Sequence, residues 1–173
     1  NPLWASPTGY ASTMVGFPYD DLESWRSIYP PEVFIRQFTA VADGFDRAID
    51  TLKQESAAIR ATPERKSALT DEIRIAEACA VHFHSVARQS RFIWLRNHLA
   101  GMAEKEERHA AIAELKAILE QELAAAQRLY DLQNEDSRIG YEASNHYFYI
   151  PLDLAAKAVN CQYLLDTWIP TLS

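Results

Sequence analysis

The residues between Arg138 and Pro151 form the densest cluster of chemically versatile side chains in the chain: Arg138, Tyr141, Glu142, Ser144, Asn145, His146, Tyr147 and Tyr149. If the stretch is helical, Glu142 and His146 are four residues apart and face the same way, as do Asn145 and Tyr149. If it is extended, Glu142, Ser144 and His146 share one side while Tyr141, Asn145, Tyr147 and Tyr149 share the other. Either geometry sets a carboxylate beside an imidazole. Such a pair suits general acid/base work, or the binding of a hydroxylated ligand on which tyrosines stack. No nucleophile, Gly-rich oxyanion loop or second acid with a fixed partner accompanies it, so it falls short of a complete active site. The plainer alternative is a tyrosine-rich connector whose polar atoms satisfy helix ends and buried backbone.

Other constellations are weaker. Glu106-x-x-His109 has the spacing of a ligand pair in di-iron bundles, but only one copy occurs, in a highly charged first turn that reads as a solvated face. His82 and His84 are two apart on a helical pattern and so point to different sides, one toward the edge of the core and one toward solvent. Arg88, Arg91 and Arg96, with Gln89 and Asn97, lie beside Phe92 and Trp94. Guanidinium groups next to rings bind carboxylates or stack on sugar faces, and they also pair with acids on neighbouring helices. No metal ligand set and no cofactor is expected from these patterns.

The elements that must position these groups are helical. After Tyr29-Pro30-Pro31-Glu32, a good helix start, Phe34, Phe38, Val41, Phe45, Ile49 and Leu52 recur at three- or four-residue steps to about Ala61. Thr62 as N-cap and Pro63 at the first position start a second helix, with Leu69, Ile73, Ala76, Ala80, Phe83, Ala87 and Trp94 as its stripe, stopping near Gly101. A third runs from about Met102 to Leu132 on Ile112, Leu115, Leu119, Leu123, Ala126 and Tyr130. Pro151 starts the last, with Leu154, Ala158, Cys161 and Leu165 on one side, Leu152, Ala155 and Val159 flanking them, and Pro170 ending it. These patterns predict an all-α fold, an antiparallel bundle of three long helices and one shorter helix.

Residues 1–29 differ. Pro2, Pro7, Gly9, Gly16 and Pro18 break any helix, while Trp4, Tyr10, Phe17, Tyr19, Trp25 and Tyr29 supply large rings. The segment therefore reads as an extended aromatic arm packed on the bundle of residues 30–173, its rings against the helices or against a preceding domain. Asp20, Asp21 and Glu23 suit a short helical turn carrying Leu22 and Trp25.

A chain of 173 residues with 48% hydrophobic content has the size of one domain with a real core. Its formal charge of −7 and isoelectric point near 5.2 argue against nucleic acid or an anionic membrane as the main partner. No apolar run is long enough for a transmembrane helix. Cys79 and Cys161 fall in helical patterns far apart and read as small buried thiols. The chain opens on Asn1 rather than methionine, as expected of a processed protein or an excised piece.

The segments from Tyr19 to Pro30 (Tyr-Asp-Asp-Leu-Glu-Ser-Trp-Arg-Ser-Ile-Tyr-Pro) and from Asp136 to Tyr149 together resemble the C-terminal helical region of large bacterial proteins with glycoside-hydrolase-like barrels. The resemblance implies a helical domain that follows a sugar-processing barrel, which would itself hold the two carboxylates of glycoside cleavage. The expected function is then that of an accessory domain supporting or completing a ligand site, not catalytic by itself. Its partners would be a carbohydrate ligand and a preceding barrel domain, in the same parent chain or another subunit. The ligand-binding candidates are Arg138, Tyr141, Glu142, Asn145, His146, Tyr147, Tyr149 and Trp25. The alternative is a self-contained helical binding or oligomerisation module; a metal-dependent enzyme is disfavoured.

Overall fold

Helix boundaries in the computed structural model, which describes residues 1–11, 19–58, 62–142, 146–147 and 149–172, follow local chemistry. The Asp21 carboxylate accepts the Ser24 N–H and caps the short α1, Leu22–Trp25. Helix α2, Pro31–Ala58, starts on proline, which lacks the N–H that a first turn would leave unpaired. Thr62 Oγ1 accepts the Arg65 N–H and Pro63 opens α3, Pro63–His98, which runs out through a 3-10 turn at Leu99–Gly101. Helix α4 is Lys105–Glu135 and α5 is Pro151–Thr167. Asp153 caps α5 by accepting the Ile150 N–H at 2.9 Å. Pro170 lies inside a closing 3-10 turn, Ile169–Leu172.

From α2 onward each helix packs along the next in sequence, and α1 lies on α3. Asp46 meets His84 and Lys53 meets Glu77, so α2 and α3 run antiparallel. Arg74 reaching Glu135 and Arg91 reaching Glu114 set α3 against α4 in the same sense. Lys157 at Glu122 and Arg108 at the Leu172 carbonyl do so for α4 and α5. The architecture is the all-α bundle that the periodicity predicts. Its main core joins Phe92, Ile93, Leu95, Leu115, Leu119, Cys161 and Leu164, with Leu3 and Leu22 from the N-terminal segment. A second cluster, Ala78, Leu129, Leu132, Ile139 and Leu154, closes the end where α4 gives way to α5. Both cysteines are free thiols, Cys161 buried and Cys79 half-buried.

The arm docks by its backbone and by Leu3 as well as by one of its rings, Trp25, which packs against the main core. Asn160 clasps the Leu3 backbone, accepting its N–H at 2.8 Å and donating to its carbonyl at 2.9 Å, and Leu3 is buried in the main core. A leucine so buried contributes about 1.5–3 kcal/mol, enough to offset the ordering of one or two residues. Trp4, Tyr10 and Tyr29 stay exposed. Tyr10 and Tyr19 meet at a tilt, their centroids 5.7 Å apart, while Gly16 and Phe17 lie outside the described residues.

The α2 stripe packs inward except at one position, and the α5 stripe turns out displaced. On α2 Ala42 and Ile49 are buried, Phe38 and Phe45 stack on Phe83 of α3 and Phe34 packs on the main core, while Val41 is exposed. On α5 the buried positions are Leu154, Lys157, Cys161 and Leu164. Leu152 and Val159, expected beside the core, are 72% and 70% exposed and share the opposite face with Tyr163 at 63%.

Candidate functional site

The 138–151 stretch is neither a continuous helix nor a single extended strand. Two strands of two residues each, β1 (Tyr141–Glu142) and β2 (His146–Tyr147), pair antiparallel, with Tyr141 opposite Tyr147 and Glu142 opposite His146. The backbones of the candidate acid and base are therefore brought directly across from one another. Asn145 lies outside the described residues.

The footing of this hairpin is built from α4. Gln133, buried at the end of that helix, donates through one amide nitrogen to the Ile139 carbonyl at 3.0 Å and the Tyr149 carbonyl at 2.8 Å. One side chain thus holds both legs. Ile139 is buried in the second core cluster, and half-buried Tyr149 packs against it. Gly140 permits the tight exit with φ of +85°. A Cβ there would stand 2.7 Å from the Tyr149 carbonyl oxygen and 2.9 Å from Gln133 Nε2. Gly140→Ala should therefore lower stability by about 1–3 kcal/mol, from backbone strain and the displaced clamp. Urea unfolding would measure it, and an unchanged midpoint would contradict the close approach.

The expected ligand groups divide into those the fold leaves at the hairpin and those it uses elsewhere. Tyr141 is 51% exposed. Arg138 is committed to Asp136, donating through Nε at 2.9 Å and through Nη2 at 2.5 Å, with its backbone N–H on the same carboxylate. The Arg138 guanidinium holds the Asp136 carboxyl at about 2, below the ordinary 3.8, so the pair stays ionised at any physiological pH. Burial pushes the Tyr149 phenol up to about 12, which keeps it protonated and unfit as a base. Trp25 is not part of this surface. It packs edge-on against Phe34, with centroids 4.6 Å apart, and against the main core cluster. The first residues of the arm likewise meet α5 at Lys157 and Asn160 and α3 at Arg96, along the bundle away from the hairpin.

Of the other motifs, the three arginines find acids. Arg91 holds Glu114 through two hydrogen bonds of 2.7 Å and lies 4.9 Å from the Trp94 ring centre. Arg96 pairs with Asp20 at 2.7 Å, their side chains 2% and 5% exposed. Glu106 and His109 are exposed, as a solvated face requires.

A polar centre absent from the sequence reading lies inside the bundle. Glu122 is 1% exposed; it accepts from Ser85 Oγ at 2.7 Å and Arg88 Nε at 2.6 Å, and pairs with Lys157 Nζ at 3.1 Å. Burial pushes its carboxyl up, but Lys157, Arg88 and the bonds from Arg88 and Ser85 outweigh that and hold it below its ordinary value. Glu122 is thus ionised and acceptor-only, a tie between α3, α4 and α5 with no proton to give. The signal was present: Glu122 falls three residues after Leu119 and four before Ala126, and Lys157 three after Leu154 and four before Cys161, each inside an apolar stripe.

Between α2, α3 and α4 runs an open groove of about 430 Å³, lined in part by Asp46, Asp50, Lys53, Glu77, His84 and Arg128. Glu77 is held from both sides, by Lys53 at 2.6 Å and by Arg128. His84 Nε2 meets Asp46 Oδ2 at 2.7 Å, whereas His82 is exposed. Comparison of the chain with protein-family models, with curated proteins and with solved structures gives no match.

Proposed function

We propose that the chain is the C-terminal helical accessory domain of a bacterial carbohydrate-active, glycoside-hydrolase-like protein, and that its hairpin forms one wall of a ligand site completed by a preceding barrel domain. The observation that carries this reading is the register of the paired strands, which sets Glu142 opposite His146, with Gln133 holding the flanking Ile139 and Tyr149 carbonyls. The likeness of residues 136–149 to such proteins supports it from the sequence side. Exposed Tyr141 beside that pair offers a ring for a sugar face. The test uses the parent protein with its barrel. Glu142→Ala and His146→Ala should each reduce kcat/KM or ligand affinity about 10- to 100-fold, while the helical circular dichroism of the domain is unchanged. Unaltered kinetics in both variants would sink the ligand role.

A second reading, a self-contained module that pairs with another chain, draws support from α5. Leu152, Val159 and Tyr163 recur along the face opposite the core and are more than half exposed, where a lone soluble helix would ordinarily carry charge. Light scattering across a wide concentration range separates the readings, because a monomer at every concentration would count against assembly.

A further inference from the structure

The rim of the groove between α2 and α3 carries three metal-ligating side chains: Asp43 and Asp46 from α2 and His84 from α3, with donor atoms all within 4.8 Å of one another. We propose that Asp43, Asp46 and His84 form a binding site for a divalent transition-metal ion. Asp43 and Asp46 are three apart on α2 and so share a face, and His84 reaches them across the helix pair, its Nε2 already 2.7 Å from Asp46 Oδ2. Two of the three donors are thus in contact before any ion arrives.

Donors around a tetrahedral zinc ion, each about 2.0–2.2 Å from it, stand roughly 3.4 Å apart. Reaching that spacing means opening the 2.7 Å contact of Asp46 with His84 slightly and holding Asp43, whose donor lies within 4.8 Å of both, at the third corner. One imidazole and two carboxylates suit Zn²⁺, Mn²⁺ or Fe²⁺, and do not resemble the all-oxygen shells that hold Ca²⁺. His84 would ligate through Nε2 with its proton on Nδ1, and three protein ligands leave at least one position for water.

The charge around the rim points the same way. Asp50 lies one further turn along α2, so that Asp43, Asp46 and Asp50 make a row of exposed carboxylates. Neither Asp43 nor Asp50 has an ion-pair partner among the described residues, whereas the neighbouring Glu77 has both Lys53 and Arg128. A divalent cation at this rim would neutralise the repulsion along the row and fasten α2 to α3.

Isothermal titration of the whole chain with ZnCl₂ tests the site. One equivalent should bind with a dissociation constant in the micromolar range, and His84→Ala and Asp43→Asn should each weaken it about 10-fold or more. Asp43 makes no side-chain bond among the described residues, so Asp43→Asn keeps the fold intact even if His84→Ala loosens the helix pair. Hydrogen exchange in α2 should slow on adding zinc to the unaltered chain and not in either variant. Absence of saturable binding up to about 1 mM zinc would overturn the site. So would binding that survives both substitutions, since it would lie at the other histidines or the thiols.

Discussion

Glu122→Ala is expected to lower folding stability by about 3–5 kcal/mol, because it leaves Arg88 and Lys157 without the carboxylate that compensates them. Lys157 is buried and among the described residues retains only the Asn1 carbonyl, while Ser85 loses the acceptor of its hydroxyl. The loss is a large part of the roughly 5–15 kcal/mol that holds a domain of this kind. Urea unfolding followed by circular dichroism measures it, and a shift below about 1 kcal/mol would show that the network is not coupled. The same group sets a pH dependence. Its carboxyl is depressed in the folded chain, so its stabilisation is fully present above the ordinary value of 4.5 and is lost as pH falls through the lowered one. In Glu122→Gln that acid-side loss should be smaller, since no carboxylate remains to be protonated there.

The second large effect concerns Asp20. Asp20→Ala removes the only carboxylate paired with Arg96 among the described residues, and the Arg96 side chain is 2% exposed. It also removes the acceptor of the Thr8 N–H at 2.7 Å. Arg96 Nη2 already has no hydrogen-bond partner among the described residues. The cost should again be about 3–5 kcal/mol, with a second signature that Glu122→Ala lacks. The arm is tied at Trp4 and Asp20 to the same guanidinium, so it should become susceptible to limited proteolysis before the bundle does. Asp20→Ala combined with Arg96→Leu should recover most of the stability, because no buried charge is then left alone. Equal stability of the single and double variants would refute the pairing as the cause.

The helices were legible because their signals are local. Thr62 caps, Pro63 and Pro151 open, and Asp21 starts the short turn carrying Leu22 and Trp25, each within a few residues of the boundary it sets. Which face points inward was less so. A pattern such as Leu152, Leu154, Ala155, Ala158, Val159 and Cys161 admits more than one stripe, and only the neighbouring helix decides that Lys157 goes in and Val159 stays out. The hairpin was ambiguous for a different reason, since the side-chain spacing from Arg138 to Pro151 satisfies helical and extended periods alike. Its form depends on Gln133 reaching both legs from α4, and no local pattern encodes that reach. Partnerships between distant elements, Asp20 with Arg96 and Asp43 and Asp46 with His84, lie beyond any reading by period.

The docking of the arm also bears on the order in which the molecule assembles. Helices that pack on their sequence neighbours close short loops, and such contacts form early at small entropic cost. The arm instead finds Asn160 across 157 positions and Lys157 across 156, so its docking closes a loop nearly as long as the chain. During synthesis, Leu3 leaves the ribosome well before α5, the surface that will hold it, exists. Within residues 1–173 those made earliest are thus among the last to settle, and the late step of folding is the seating of a strap on a bundle already formed.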